Sequence, residues 1–160
     1  IAYADPRWLW PALAVSMAGE LIQLWCFATL DKNASLACRG PYAIVRNPMY
    51  LGRFFILGGA LMLLGQPWLL VLYAVVYWFY MVNRVGREER RLREVLGAPY
   101  AEYCAGTRRF LPGAPYRGEP VLVWDGALFR QNHGWQNFAG TAAFWIAAIV
   151  WLATRTGAAG

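Results

Sequence analysis

Residues 8–30 form an apolar stretch whose single charged side chain is Glu20, and this stretch restricts the fold more than any other feature of the chain. Roughly 20 consecutive apolar residues suffice to cross a bilayer as a helix. Two further apolar runs, 49–64 and 68–82, are separated only by Gly65, Gln66 and Pro67. That short uncharged break reads as a tight hairpin of two helices, each barely long enough to cross. Residues 138–152 are a short candidate for a fourth span. Only 15% of the 160 residues are charged and 59% are hydrophobic, against about 25% charged in a soluble domain. A core this small cannot hide so much apolar surface, whereas lipid can solvate it. Nine Trp and nine Tyr fit the same reading, because their rings favour the membrane–water interface. The expected fold is therefore all-α, a polytopic transmembrane helical bundle of three to four spans. The first stretch is too long and too Trp-rich for a signal peptide.

The net charge of +6 comes almost entirely from Arg, with Lys32 the only Lys. The basic residues lie between apolar segments, so topology accounts for them, and no nucleic-acid-binding motif is present. The third run continues past 82 through a charged segment without Pro, and Gly97 is a good stop. The third helix should thus project from the membrane as a charged stalk, followed by a polar loop to about Pro120. The basic connections 31–47 and 83–120 fall on the same side of the hairpin. The positive-inside rule makes that side cytoplasmic. Residues 124–135 mix aromatics with Arg130 and His133 and are expected to lie at the interface. Cys26, Cys38, Cys104 and His133 are scattered without ligand spacing, so no structural zinc or other metal is expected. Glu20 and Gln23, inside the first stretch, either line a cavity or hydrogen-bond another helix.

Two polar segments carry chemistry. The first is GPYAIVRNPMYLGRFF, residues 40–55. Asn47 and Pro48 read as a helix start, with Asn47 capping and Pro48 in the first turn. Such a start presents free amides and a positive dipole end that attract anions. Arg46 and Arg53 add charge, and with Tyr50 they share a face. Gly52 permits close approach of a backbone or a ligand. The alternative for each is ordinary: snorkelling arginines, an interfacial tyrosine and a helix-packing glycine. The second segment is EERRLREVLGAPYAEYCAGTRRFLP, residues 88–112. Its plain reading is a solvated face, with Arg84/Glu88 and Glu89/Arg93 at i,i+4 spacing.

Together the two segments resemble the paired signatures of the isoprenylcysteine carboxyl methyltransferase and phospholipid methyltransferase family. The first signature, approximately G-P-Y-x-x-V-R-H-P-x-Y-x-G, is matched by Gly40, Pro41, Tyr42, Val45, Arg46, Pro48, Tyr50 and Gly52. The second is matched by Glu88, Glu89, Leu92, Gly97, Tyr100, Tyr103, Arg109, Phe110, Leu111 and Pro112. The resemblance covers residues 40–112 and implies a membrane methyltransferase using S-adenosylmethionine on a lipid-like acceptor. On that resemblance, Tyr42, Val45, Arg46, Asn47, Pro48, Tyr50, Leu51 and Gly52 form one wall of the cofactor site. Glu88 and Glu89 form the other, Arg53 and Glu89 serve the chemistry, and Tyr42, Tyr100 and Arg109 face the acceptor. Two departures stand out: Asn47 replaces the family His, and the chain continues beyond Pro112 to Gly160. The expected division is a methyltransferase-like domain over 1–117 and an extension over 118–160, which either binds a membrane protein partner or covers the acceptor site. The competing readings are a non-catalytic accessory subunit on a degenerate scaffold and a sterol reductase-like enzyme using a reduced nicotinamide.

Overall fold

The structure, a computed structural model, describes residues 4–31 and 36–157, and Lys32 lies outside them. The described residues are helical and connecting segments, with no strand. Helix α1 spans Leu9–Phe27, α2 Pro41–Ile44, α3 Pro48–Met62, α4 Pro67–Leu96, α5 Ala98–Gly106, α6 Gly126–Gln131 and α7 Gly134–Gly157. Three helical segments are long and apolar enough to cross a membrane: Pro6–Phe27, Pro67–Leu96 and Gly134–Arg155. The all-α membrane bundle expected from the apolar runs is thus the observed class.

Proline and glycine set the boundaries. Pro48 and Pro67 stand at the starts of α3 and α4, where a missing N–H leaves no hydrogen bond unmade. Gly97 ends α4 at φ 61°, a left-handed conformation that only glycine adopts without strain. α4 runs unbroken for 30 residues from the apolar segment into the charged one, as the absence of an internal proline requires. Two expectations are corrected. The segment after Gly97 is not all loop, because residues 98–106 form α5. With only 15 residues, α3 is about 22 Å long, less than the ~30 Å hydrocarbon thickness. It therefore does not cross by length alone.

The bundle is built on α1 against α3, whose backbones touch through small residues. A Cβ on Gly19 would stand 2.5 Å from the Gly52 carbonyl oxygen, and one on Gly59 would stand 2.6 Å from that of Ala12. Lipid supplies no hydrophobic drive between helices, so close van der Waals contact must hold them together. Ser16 adds a hydrogen bond from its hydroxyl to the Ile56 carbonyl, 3.2 Å.

The C-terminal helix α7 packs on α1. Trp145, Ala148 and Leu152 join Ala12 and Leu63 in one apolar cluster. Glu20, 1% exposed, accepts from Asn137 Nδ2 and Thr141 Oγ1, both at 2.8 Å. Trp145 Nε1 donates to Ser16 Oγ at 2.9 Å. Of the two readings of Glu20, the structure therefore supports the hydrogen bond to another helix. The turn before α7 is tied down as well, since Asn132 Nδ2 donates to the Phe27 and Leu30 carbonyls at the end of α1.

The glycine contacts generate a paired test. Gly19→Ala forces α1 and α3 apart and should destabilise the purified protein by about 1–3 kcal/mol, the usual range for overpacking. Gly140→Ala, whose Cβ would meet nothing within 4 Å, should leave the thermal midpoint unchanged or raise it. Thermal unfolding followed by circular dichroism in detergent distinguishes the two.

Candidate functional site

The two polar segments meet at the charged end of the bundle, where a strap of chain after α5 clamps the first segment. The Arg46 amide donates to the Arg108 carbonyl at 2.9 Å, the Gly113 amide to Ile44 at 2.8 Å, and the Gly40 amide to Pro120 at 2.9 Å. The Tyr103 hydroxyl donates to the Tyr42 carbonyl at 2.6 Å. Residues far apart in sequence thus form one rigid unit around α2 and the start of α3.

Glu89 is the centre of this unit. It is 5% exposed, and its carboxylate lies 3.6 Å from Arg46 Nε and 3.2 Å from Arg109 Nε. Asn47 Nδ2 donates to it at 3.2 Å and, also at 3.2 Å, to the Arg109 carbonyl. Two guanidinium groups and a carboxamide therefore converge on one carboxylate, which joins α4, the start of α3 and the strap. This corrects two expectations. The second segment is not merely a solvated face, since Glu89 turns inward. Asn47 occupies the capping position without capping, because its side chain is committed to Glu89 and the strap.

Beside this cluster lies a cavity of about 250 Å³. The start of α3 contributes Arg46, Asn47, Pro48, Met49 and Tyr50, and α4 contributes Glu88, Leu92 and Leu96. Tyr42, Tyr100 and Tyr103 complete it from α2 and α5, with Leu30, Asp31, Leu36 and Ala37 at its side. Glu88 is the carboxylate that α4 presents to the cavity, opposite Asp31 of the side wall, and it accepts from the Tyr50 hydroxyl at 3.0 Å. Pro48 has no N–H and the Tyr50 amide donates to the Asn47 carbonyl at 3.3 Å, so with no side-chain cap on α3 the Met49 amide is the first-turn donor left at the cavity edge. Burial pushes the hydroxyls of Tyr42, Tyr100 and Tyr103 upward from the ordinary phenol value, the Cys26 thiol adding to the shift at Tyr42 and the Cys104 thiol to that at Tyr100. They stay protonated at neutral pH and are not bases; the Tyr103 proton is committed to the Tyr42 carbonyl, and the Tyr42 hydroxyl is buried beside the Cys26 thiol.

The expected site residues divide accordingly. Tyr42, Arg46, Asn47, Pro48, Tyr50, Glu88 and Tyr100 line the cavity. Glu89 and Arg109 sit behind its wall as an ion pair. Val45, 2% exposed, is buried in the surrounding packing. Leu51 faces a separate apolar groove with Phe54, Trp78 and Leu111. Gly52 is spent on helix packing, since a Cβ there would meet Gln23 Cγ and the Gly19 carbonyl at 3.0 Å. Arg53 points away from the cavity, into a groove with Leu57, Tyr73, Val76, Tyr77 and Tyr80. The reason is helical geometry: successive residues on α3 turn by about 100°, so the cavity sees only the first turn. The sequence reading passed over Met49 and Leu96 as wall residues. The four-residue spacing of Glu88, Leu92 and Leu96 along α4 was the available signal, since such residues share a face. Among the described residues, those lining the cavity run no further than Tyr103, while Val123, Asp125 and Leu128 of the extension line a neighbouring pocket that shares Asp31, Leu36 and Ala37 with it.

A helical bundle with spans long and apolar enough to cross a membrane, and a polar-lipped, apolar-walled cavity at its charged end, describes an integral membrane protein with a pocket beside its Arg-rich segments. Comparison with known proteins specifies the class further. Residues 14–98 match the family model for phospholipid methyltransferase, and the chain belongs to that family. It is 30% identical over 86 residues to protein-S-isoprenylcysteine O-methyltransferase B of Arabidopsis thaliana, covering 54% of this chain and 42% of that protein. It is 39% identical over 91 residues to the protein-S-isoprenylcysteine O-methyltransferase of Saccharomyces cerevisiae, covering 57% and 38%. It is also 30% identical over 138 residues to the cobalt-zinc-cadmium resistance protein CzcN of Cupriavidus metallidurans, covering 80% and 62%. The chain thus spans between 38% and 62% of the length of these relatives. No solved structure matches it. Of the two enzyme classes weighed from the sequence, the family falls on the methyltransferase side, not that of the reductase.

The contrast between neighbouring carboxylates is testable. Glu89→Gln leaves two guanidinium groups around an uncharged amide, and breaking a buried pair in this way costs about 3–5 kcal/mol. Glu88→Gln, on an exposed position, should change stability by less than about 1 kcal/mol. Thermal melts of the two variants should therefore separate by many degrees.

Proposed function

We propose that the chain is an S-adenosylmethionine-dependent methyltransferase acting on a lipid-like acceptor at the cytoplasmic face of its membrane. The observation that carries this reading is the cavity itself, because it lies where the two signature segments meet. The chemistry of its lining suits the cofactor. Arg46 and the Met49 amide at the start of α3 would hold the carboxylate. Glu88 would take the ammonium or the ribose hydroxyls. Leu92, Leu96 and Met49 would cover the adenine. When bound, the cofactor supplies an electrophilic methyl group on a sulfonium.

The residues' own task is then alignment and exclusion of water, the two effects a protein adds to a reactive cofactor. Tyr100 would stand at the acceptor side as a neutral hydroxyl able to orient an acceptor oxygen or nitrogen, with the Tyr42 ring as part of the wall. Glu89 and Arg109 act as positioning residues, holding Arg46 and Asn47 at the cavity from behind its wall. Arg53 and Gly52 have no part in this assignment. The cytoplasmic placement rests on the Arg-rich connections flanking the motif end.

A second reading, a non-catalytic subunit of a membrane complex, draws on two observations. Asn47 replaces the family His, and the similarity to a protein named for metal resistance extends over 138 residues. Calorimetric titration of the detergent-purified protein with S-adenosylmethionine and S-adenosylhomocysteine separates the readings. Micromolar binding of both is expected, weakened about tenfold or more by Glu88→Gln. Absence of binding in folded protein would leave the accessory reading.

A further inference from the structure

A cavity of about 250 Å³ is smaller than the roughly 300–1,000 Å³ of ordinary small-molecule sites. It has no room for a cofactor and a second reactant side by side. The space needed lies beside it. A pocket of about 430 Å³ shares Asp31, Leu36 and Ala37 with the cavity and continues past them to Thr29, Arg39, Val123, Asp125 and Leu128. Its far wall therefore belongs to the C-terminal extension, which the family match over residues 14–98 does not reach.

Hydrogen bonds hold that wall in place. The Asp125 amide donates to the Ala28 carbonyl, and the Gly40 amide to the Pro120 carbonyl, both at 2.9 Å. Asn132 Nδ2 donates to the Leu30 carbonyl at 2.6 Å. The polar side chains of the pocket are mostly committed elsewhere. The Thr29 hydroxyl donates to the Trp25 carbonyl at 2.8 Å. The Asp125 carboxylate accepts from the Ala127 and Leu128 amides, and Arg39 is paired with Glu119 at 3.4 Å. Leu36, Ala37, Val123 and Leu128 are then the surface left for an occupant. Leu36 also packs against the cluster of Tyr100 and Tyr103, so this apolar surface adjoins the acceptor side of the cavity. On its other face α6 turns Ala127, Phe129 and Arg130 to a groove with Leu24, Trp135 and Phe138. Those last three belong to α1 and α7, both long and apolar enough to cross a membrane. Only one short helix therefore separates the pocket from surrounding lipid.

We propose that this pocket is the acceptor subsite and that it takes a single-chain amphiphile. The polar end faces the cavity at the shared wall of Asp31, Leu36 and Ala37, and the chain lies against Val123 and Leu128. A volume in the range of a site for one small ligand suits one chain, not the paired chains of a bilayer phospholipid. The assignment rests on the methyltransferase reading, and it makes Val123 and Leu128 specificity-determining residues outside both signature segments.

The test is photolysis of the detergent-purified full chain with a long-chain S-alkylcysteine carrying a diazirine on its chain, the labelled residues being mapped by peptide mass spectrometry. The expected result is label on Leu36, Val123 or Leu128 that persists under saturating S-adenosylhomocysteine, because the two ligands occupy adjoining spaces. Val123→Trp and Leu128→Trp fill the pocket from two different segments, and each should lower that label about tenfold by steric exclusion. Neither residue lines the cavity, so calorimetric affinity for S-adenosylhomocysteine should be unchanged in both variants, which also shows that they are folded. Label displaced by S-adenosylhomocysteine, label confined to the outward faces of α4 and α7, or label undiminished in both variants would overturn the subsite while the methyltransferase reading stands. Failure of the folded, unaltered chain to bind S-adenosylhomocysteine would instead overturn that reading, and the acceptor role of the pocket with it, even where Val123 and Leu128 are labelled.

Discussion

One buried carboxylate organises the charged end of this protein. Glu89 receives Arg46, Arg109 and Asn47 at once, and these groups come from the start of α3 and from the strap that follows α5. Removing several charged groups from water is expensive unless each is matched. Here one carboxylate answers two guanidinium groups, with the carboxamide supplying a further hydrogen bond. Backbone hydrogen bonds from Arg46 to Arg108 and from Gly113 to Ile44 run alongside. The cavity exists because this cluster holds its walls at a fixed separation, with Glu88 left over on the neighbouring face of α4.

The adjacent glutamates thus perform opposite tasks. A step of one residue on a helix turns the side chain by about 100°, enough to place Glu89 in the protein and Glu88 at the cavity. The same geometry separates Tyr50 from Arg53 on α3. Tyr50 lines the cavity and Arg53 looks toward the lipid-facing groove. The motif that reads as one continuous stretch in sequence is therefore distributed over three surfaces: a cavity wall, a helix–helix contact at Gly52, and the outer groove.

Within the membrane the bundle relies on a different economy of forces. Lipid removes the hydrophobic drive for association, and what remains is backbone contact and hydrogen bonding. The α1–α3 pair uses the first through Gly19, Gly52 and Gly59. The α1–α7 pair uses the second through Glu20, Asn137, Thr141, Ser16 and Trp145. The C-terminal helix is thereby part of the bundle, latched to α1.

What the sequence determined by itself was local and periodic. The apolar runs dictated membrane helices because lipid penalises any unsatisfied backbone. Pro48, Pro67 and Gly97 marked helix ends because their backbones permit little else. The pairing of the two polar segments was also legible, through the spacing of residues within each and their resemblance to a known family. The direction in which a side chain faces was not, because it depends on what packs alongside. Asn47 reads as a cap in isolation, yet Glu89 and the Arg109 carbonyl are better placed partners once α4 and the strap are in position. Glu20 reads equally as a cavity group or as an interhelical hydrogen-bond acceptor until α7 supplies Asn137 and Thr141. Tertiary structure alone made these choices, since hydrogen bonds and ion pairs between distant segments depend on distances that no local pattern encodes.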